Sequence, residues 1–301
     1  MFVFLSNNLS NTNLTSYYER IVFLYSLSEL AIYPVKSIQG IALQSSRVDD
    51  AGLCGDRRYT LVTPNGELVT GRTHPQLTLI TAKALEDHCW QLSHPSTQTS
   101  LILDLTKYAQ EYSEIVVWEN TVNAQRTSDE ADAWFSKIAG ESVHLMHFGE
   151  HSQRFTKRRP DVPMGFADGY PFLLTTEASL SELNRTCAQH IQMAQFRPNI
   201  VIRGNSAFEE DRWKRIRIGD VEFENIKPCV RCIFTTLNPQ TAERIPKGEP
   251  LKTLGKFRLL DGKGITFGAN LIALNTGIIH IGDEVEILEY QEAEKYQDRR
   301  K

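Results

Sequence analysis

The segment Lys227-Pro228-Cys229-Val230-Arg231-Cys232-Ile233-Phe234-Thr235-Thr236 is the one place where two cysteines of this chain lie close together. A thiolate is a soft metal ligand, and the neighbouring cations Lys227 and Arg231 favour the thiolate over the thiol. The residues after the second cysteine are β-branched or aromatic. They predict a strand over Cys232–Leu237, so we expect the cysteine pair at a strand and not at the start of a helix.

Spacing alone leaves several interpretations of Cys229 and Cys232 open. A zinc site would need two more ligands, but the chain has no second Cys-x-x-Cys motif and no pair of histidines nearby. A thioredoxin-like redox pair would precede a helix. The two cysteines can instead belong to a buried β-core, since free cysteine is among the most buried residue types. One of them can also be a single thiolate metal ligand supported by Arg231.

The composition limits the class of protein. With 41% hydrophobic and 23% charged residues and a net charge of -4, the 301-residue chain is typical of a soluble globular protein of one large or two smaller domains. The mild acidity argues against a nucleic acid partner, and no apolar stretch is long enough for a membrane span. Five cysteines without a disulfide framework fit a reducing compartment, so we expect a cytoplasmic protein.

Closely spaced strand patterns predict a mainly β fold with a few helices (α+β), in which the strands form barrels or curled sheets. Thr63-Pro64-Asn65-Gly66 predicts a hairpin between the strands Tyr59–Val62 and Glu67–Thr70. Capping residues and apolar periodicity predict one helix from Ser128 to Gly140 and a second from about Thr176 to Gln189.

The chain is expected to comprise four segments. These are a variable extension over residues 1–26, a β-barrel domain over 27–150, a second domain over 151–290 and a solvated tail over 291–301. The polar and basic loop His151–Pro163 marks the boundary between the two domains. Its arginines, from Arg154 to Arg159, predict a basic rim that attracts anions or docks an acidic redox partner.

Three further motifs carry polar groups that can contact an anion: Lys36 and Ser37 with Arg57; Arg197 with Asn199; and Asp168 with Gly169 and Tyr170. The first set would form a phosphate cradle, although it lacks the spacing of a nucleotide-binding P-loop. The second flanks a proline and offers a bidentate guanidinium beside a neutral amide. Taken singly, each motif is more typical of a solvated turn or strand edge than of an anion site.

In this order the motifs resemble one family, the MOSC-domain proteins that carry an N-terminal MOSC β-barrel domain. This family includes the bacterial YcbX-type proteins and the mitochondrial amidoxime-reducing component. The resemblance spans roughly residues 28–289 and is carried by Tyr33–Ser37, Gly55–Arg57, Phe166–Phe172, Glu177–Leu180, Phe196–Ile200, Ile218–Val221, Pro228–Thr236, Glu249–Leu254, Phe267-Gly268 and Gly282–Ile287.

The resemblance implies a molybdenum cofactor (Mo-molybdopterin), a pyranopterin whose dithiolene holds the metal. Cys232 resembles the family's protein ligand to molybdenum and would therefore be the catalytic and metal-binding residue. The positions that it assigns to cofactor binding are Lys36, Ser37, Arg57, Asp168, Gly169, Tyr170, Arg197, Asn199 and Arg231. At 169 and 170 the mitochondrial form carries small hydroxyl residues, so backbone contacts are what we expect of this Gly-Tyr pair.

The implied activity is the reduction of small N-hydroxylated compounds, such as N-hydroxylated purine bases, hydroxylamines and amidoximes, to the amines. This would make the protein an oxidoreductase in the detoxification of such bases. Many bacterial relatives carry a ferredoxin-like domain with four cluster-binding cysteines, which these 301 residues lack. A separate flavin or iron–sulfur protein is therefore the expected electron donor.

Two other functions are weighed against this one. The first is a molybdenum or sulfur carrier protein that holds transferable sulfur on Cys232, as has been proposed for MOSC-type domains. The second is an oligonucleotide-binding barrel, which would need aromatic residues interleaved with basic ones on one sheet face. The basic loop offers only Phe155, so this last function ranks lowest.

Overall fold

The computed structural model describes residues 25–85, 89–204 and 206–300. Of the predicted extension over 1–26, residues 1–24 lie outside the described residues, and residues 25 and 26 begin the first strand. In chain order the strands are β1 (Tyr25–Ile32), β2 (Ile41–Ala42), β3 (Ser45–Asp49), β4 (Gly52–Leu53), β5 (Tyr59–Val62), β6 (Leu68–Val69), β7 (Thr81–Ala84), β8 (Cys89–Ser93), β9 (Leu101–Asp104), β10 (Tyr112–Val117), β11 (Asn120–Arg126), β12 (His144–His147), β13 (Phe172–Thr176), β14 (Ile200–Arg203), β15 (Trp213–Ile218), β16 (Val221–Val230), β17 (Leu259–Leu260), β18 (Gly264–Ala273), β19 (Gly277–His280) and β20 (Glu284–Tyr290).

The helices are few. They are α1 (Asp129–Ala139), α2 (Glu177–Thr186) and α3 (Leu251–Leu254), with 3₁₀ turns at Pro75–Leu79, Leu105–Lys107, Met193–Gln195, Glu209–Arg212, Ile233–Thr236 and Pro246–Gly248. No helix in the described part of the chain is long and apolar enough to cross a bilayer. The mainly β class with a few helices is therefore confirmed.

The larger unit is a closed seven-stranded barrel. Its strands follow the order β13-β14-β1-β20-β15-β16-β18, and β18 pairs back to β13 to close it. The β13–β14 pair is parallel and the other neighbours are antiparallel. Phe172, Trp213 and Phe223 fill the interior, each at most 2% exposed. Burying such large apolar side chains stabilises the closed sheet.

The first strand connects the two halves of the chain. Although β1 begins at Tyr25, it lies in the seven-stranded barrel between β14 and β20. The strand β3 likewise pairs with β19, which comes from the far end of the chain. Strands from before residue 150 thus complete the barrel that the later part of the chain forms. The domain boundary predicted at residue 150 stays a prediction.

The smaller unit is a sheet of five strands in the order β10-β11-β12-β5-β6. A bridge between Glu67 and Val116 brings its two ends together. The predicted hairpin is confirmed, since β5 and β6 pair in the register Leu61 to Val69. The sheet β7-β8-β9 and helix α1 pack on a shared core that includes Phe135 and Leu145.

The two longest helices begin where the sequence predicts. The hydroxyl of Ser128 accepts a hydrogen bond from the Ala131 N–H at the start of α1, and the helix ends at Gly140 with a left-handed φ of 80°. Thr176 caps α2 in the same way. The helix α2 ends at Thr186, three residues before the predicted end, where the Asn184 amide instead binds the backbone of Ile191.

The strand predicted over Cys232–Leu237 is wrong. After β16 ends at Val230 the chain turns, and Ile233–Thr236 form a 3₁₀ helix with Cys232 at its N-cap position. The hydroxyls of Thr235 and Thr236 donate hydrogen bonds to carbonyls three residues earlier, at 2.9 and 2.7 Å. These local bonds offer a β-branched run an alternative to a ladder, which propensity alone does not detect.

Residues 291–300, expected to be a solvated tail, are exposed along most of their length but contact the barrel through Tyr296 and through Arg300, whose guanidinium lies 3.9 Å from the centroid of Phe257. The Tyr296 ring stacks on the guanidinium of Arg258, 3.8 Å from the ring centroid. Arg258 also donates a hydrogen bond to the Tyr296 hydroxyl at 3.1 Å, and that hydroxyl lies 2.9 Å from the Thr266 hydroxyl. The tail is therefore partly packed on the barrel.

Candidate functional site

A cavity of about 250 Å³ opens where the two units meet, and all ten predicted site residues line it. They come from five separate chain segments: Lys36 and Ser37; Arg57; Asp168, Gly169 and Tyr170; Arg197 and Asn199; and Arg231 and Cys232. Each segment is a connection just before or after a strand, so the barrels supply the rigid frame and the loops supply the functional groups.

The backbone of this cavity is strained. Seven non-glycine residues in the described part of the chain have a left-handed φ, and four of them line the cavity: Ser37 (76°), Arg57 (46°), Trp118 (57°) and Arg197 (56°). A side chain in this region costs about 1–3 kcal/mol and persists where the surrounding structure enforces it. Strain concentrated in this way is typical of a functional site.

Lys36 and Asp168 form an ion pair across the cavity wall. The Lys36 ammonium also donates a hydrogen bond to the Phe166 carbonyl at 3.0 Å, and Arg72 lies 3.4 Å from the second oxygen of Asp168. Although displaced water opposes its ionisation, the cations Lys36 and Arg72 hold the pKa of Asp168 well below its usual value. Burial lowers the pKa of Lys36, and Asp168 counteracts that shift.

Arg57 and Asn199 use their polar groups within the protein. Arg57 donates from Nη1 to Asp56 at 2.6 Å and to the Asn199 amide oxygen at 3.0 Å, and from Nη2 to the Arg197 carbonyl at 3.0 Å. The Asn199 amide donates in turn to the Ala31 carbonyl at 3.1 Å. These two residues therefore fix the loop before β14, in addition to lining the cavity.

Arg197 is held between aromatic rings. Its guanidinium lies 4.1 Å from the centroid of Tyr33 and 5.5 Å from that of Phe234, and its Nη1 donates to the Ile38 carbonyl at 2.5 Å. Burial lowers the pKa of Arg197 to about 10, with the Tyr33 hydroxyl opposing that shift. Arg197 therefore remains a cation at neutral pH and contributes positive charge to the cavity.

The two cysteines line the same cavity but differ in their contacts. Arg231 donates from Nη1 to the Cys229 sulfur at 2.8 Å and from Nη2 to the Phe196 carbonyl at 2.7 Å. Its Nε is buried without a partner among the described residues. The structure shows no hydrogen bond to the Cys232 sulfur from the residues it describes. Although β-strand alternation would allow the cysteines to face opposite sides, the turn after Val230 brings both to the cavity.

The cavity is strongly cationic. Six basic side chains line it against one carboxylate, that of Asp168, and the six are Lys36, Arg57, Arg72, Arg197, Lys227 and Arg231. Such a site fits a ligand with several negative charges. In the described residues no group of three or more Cys, His, Asp or Glu side chains could hold a metal ion.

Among the cavity residues that were not predicted as site residues are Arg72, Trp118 and Lys227. Lys227 lies in the cysteine segment and was considered only for its effect on the thiol. Arg72 and Trp118 come from the smaller unit, which tertiary contacts alone bring to the cavity. One sequence signal could have indicated Trp118. It is a tryptophan in the short turn Val117-Trp118-Glu119-Asn120, which contains no glycine.

The basic loop His151–Pro163 matches the predicted exposed rim only in part. Arg154 is only 6% exposed and donates to the carbonyls of Gly165 and Ala167. Arg159 pairs with Glu224 at 2.6 Å. These two guanidiniums satisfy backbone and carboxylate oxygens within the fold and are not free to attract an anion. Lys157 and Arg158 of the same loop are exposed, so the docking of an acidic partner there stays a prediction.

The fold and the cavity define a class of protein. The family model described as the MOSC N-terminal beta barrel domain matches residues 24–142, and the MOSC domain model matches residues 161–286. The chain therefore belongs to the MOSC-domain proteins that carry an N-terminal MOSC barrel. The family assignment that the motifs indicated is confirmed.

Within that family the chain is similar to the amidoxime-reducing components. It is 33% identical over 282 residues to mitochondrial amidoxime-reducing component 1 of Mus musculus, covering 87% of this chain and 82% of the relative. It is 32% identical over 278 residues to component 2 of Bos taurus, covering 86% and 82%. The crystal structure of the YUAD protein from Bacillus subtilis overlays 89% of this chain and 97% of its own, with 12% identity and a TM-score of 0.40.

Proposed function

We propose that this protein is a molybdenum-cofactor-dependent reductase that converts small N-hydroxylated compounds into the corresponding amines. The observation that carries the proposal is the cavity itself, in which the Cys232 thiol lies among six basic side chains. The relatives that are named for amidoxime reduction support the same class of substrate. We also propose a cytoplasmic location, on the composition alone.

The residues present fit a molybdenum pyranopterin. Cys232 offers one soft sulfur donor, and the partnerless Nε of Arg231 and the excess of positive charge suit an anionic pterin with a phosphate. Arg197, Arg231 and Lys36 would hold its anionic groups, while Arg57 and Asn199 would hold the loop that presents Arg197. When bound, the cofactor supplies the two-electron redox chemistry that cleavage of an N–O bond requires.

The balance of the reaction sets the demand on the protein. R–NHOH with two electrons and two protons gives R–NH₂ and water, so each turnover needs two electrons from outside the cavity. We propose a separate flavin or iron–sulfur protein as their source. The protein itself binds and orients the cofactor, keeps the Lys36–Asp168 pair fixed at the wall and leaves the cavity open to a small substrate.

The first test is metal and pterin analysis of the purified protein, followed by an assay with reduced methyl viologen and benzamidoxime. We expect molybdenum and pterin in equal amounts and formation of benzamidine. Protein that has been loaded with the cofactor and still leaves N-hydroxylated compounds unreduced would contradict the proposal.

The accessible sulfur of Cys232, without a hydrogen bond from the described residues, favours one alternative. A sulfur carrier would hold a persulfide on this cysteine, and the basic cavity would stabilise its anion. Intact-protein mass spectrometry separates the two functions. A carrier would show the mass of one added sulfur on Cys232, and it would contain neither molybdenum nor pterin.

A further inference from the structure

Trp118 occupies a position that normally requires glycine. Strands β10 and β11 pair as far as Val117 and Asn120, so Trp118 and Glu119 form a two-residue hairpin turn. Trp118 is its first residue and has a φ of 57°. In two-residue turns with a left-handed first position, glycine is favoured because a side chain is strained there. Folding alone would therefore not select a tryptophan at this turn.

The ring of Trp118 lies at the mouth of the cavity and is fixed in place. The Arg72 guanidinium lies over the ring, 4.2 Å from its centroid, and Arg72 is itself held by Asp168. The Lys36 ammonium, which is also bound to Asp168, lies 5.5 Å from the same centroid, and 38% of the residue remains exposed. The hairpin is anchored as well, because Arg154 donates from Nε to the Asn120 side chain at 3.1 Å. The free part of the ring is a rigid aromatic surface beside the entrance.

We infer that Trp118 is a stacking platform for the substrate and that it selects planar, conjugated N-hydroxylated compounds over small aliphatic ones. This inference rests on the proposed function and adds the shape of the substrate to it. An aromatic pair contributes through its offset or edge contacts, beyond the apolar area it buries. Val230, which is adjacent in sequence to Cys229, is a second exposed apolar residue in the cavity lining.

The experiment compares two substrates with the same reacting group, benzamidoxime and acetamidoxime, with reduced viologen as the donor. Trp118→Ala removes the ring and keeps a strained turn, whereas Trp118→Gly removes the ring and relaxes the turn. We expect both variants to raise the KM for benzamidoxime by about 2- to 12-fold, and the KM for acetamidoxime by less than about 2-fold. Trp118→Gly should melt at a higher temperature than Trp118→Ala, because it relieves the left-handed strain.

A binding measurement that needs no turnover accompanies the assay. Calorimetric titration with benzamidine and acetamidine should show a preference for the aromatic amidine in the wild type that both variants lose. Val116→Ala is the matched control, since Val116 is 48% exposed on the same hairpin and does not line the cavity. It should leave both preferences unchanged.

Equal losses for the two substrates, or recovery of benzamidine binding in Trp118→Gly, would overturn the inference, because the turn and not the ring would then decide binding. If the loaded wild type reduces neither substrate, the proposed reductase function fails. The calorimetric preference for benzamidine and its loss in the variants then decide separately whether Trp118 is a stacking platform.

Discussion

Arg231 donates a hydrogen bond from its Nη1 to the sulfur of Cys229, across 2.8 Å. This contact distinguishes two cysteines that the sequence presents as a symmetric pair. The sulfur of Cys229 is engaged by a cation of its own loop, whereas Cys232 opens the next 3₁₀ turn and has its carbonyl, not its sulfur, bound by Thr235. Cys232 is therefore the sulfur left available to a ligand in the cavity.

The first prediction follows from this difference. Cys232→Ser should lose molybdenum and reductase activity, because a serine hydroxyl is a poor replacement for a soft thiolate. Cys229→Ser should keep the metal and lose at most about 10- to 100-fold in activity, the range for a residue that surrounds the metal ligands without binding the metal. Metal content per chain and the viologen-driven rate measure both effects. The assignment is wrong if Cys229→Ser alone loses the metal.

The second prediction separates the cavity cations by their contacts. Charge-assisted contacts contribute about 1.5–3 kcal/mol each, so Arg231→Gln should weaken cofactor retention by about 10- to 150-fold. Its melting temperature should fall less than that of Arg57→Gln, because Arg231 has no carboxylate partner in the fold and gives up only its bonds to the Cys229 sulfur and the Phe196 carbonyl. Arg57→Gln should lower retention and melting temperature together, since Arg57 also binds Asp56 and Asn199. Pterin released after denaturation and differential scanning fluorimetry provide the two readouts. Arg47→Gln, in an exposed pair with Asp49, is the control.

The third prediction concerns electron supply. The sequence has no Gly-x-Gly-x-x-Gly dinucleotide fingerprint and no cluster of cysteines for iron–sulfur binding. We expect no reduction of hydroxylamine or benzamidoxime with NADH or NADPH as the only donor. Reduced viologen, or an added flavin reductase with NADH, should support turnover in the same preparation. Sustained turnover with NADH alone would refute a separate donor.

The fourth prediction is a pH dependence of stability. Glu210 is fully buried, and burial, with Asp211 adding to it, raises the pKa of Glu210 from 4.5 to about 7. The folded state therefore binds a proton that the unfolded chain releases near pH 4.5. The resulting stabilisation is complete below that pH and is lost as the pH rises through about 7. The shift corresponds to at most about 3 kcal/mol.

Urea unfolding of the wild type and of Glu210→Gln between pH 4.5 and 8 tests this dependence. Gln keeps an acceptor for the Ser179 hydroxyl, which lies 2.7 Å from the Glu210 carboxylate, and it cannot ionise. The unfolding free energy of the variant should rise relative to that of the wild type as the pH rises. A difference that stays constant over the whole range would show that Glu210 does not titrate there.

The fifth prediction tests the anchored tail. Tyr296→Ala removes the ring stacked on Arg258 and the hydroxyl that accepts a hydrogen bond from Arg258. We therefore expect a loss of about 1–3 kcal/mol in unfolding free energy. Tyr290→Ala is the control, because Tyr290 is 56% exposed and lies 6.0 Å from its nearest stacked cation, Arg212. Its loss should stay below about 0.5 kcal/mol. Equal losses in the two variants would mean that the tail is not held by Tyr296.

Local signals were sufficient where structure depends on neighbouring residues. The Asn65-Gly66 turn fixes its hairpin, and Ser128 and Gly140 bound their helix, because turn and cap geometry involve only a few adjacent residues. They failed at Ile233–Thr236, where threonine hydroxyls bound backbone carbonyls and replaced a ladder with a 3₁₀ turn. Propensity records an average over contexts and does not include that competition.

The sequence by itself determined the family and ten of the residues that line the cavity, because both depend on short motifs such as Cys229-Val230-Arg231-Cys232 and Arg197-Pro198-Asn199. Only the tertiary structure decided which of the cavity residues bind other protein groups and which remain available to a ligand. Closing the barrel with β1 places Arg57 against Asn199, which ties both to the backbone, and the β10–β11 hairpin carries Trp118 to the mouth. These contacts join residues far apart in the chain, and their pairing depends on how the strands close and not on any local pattern.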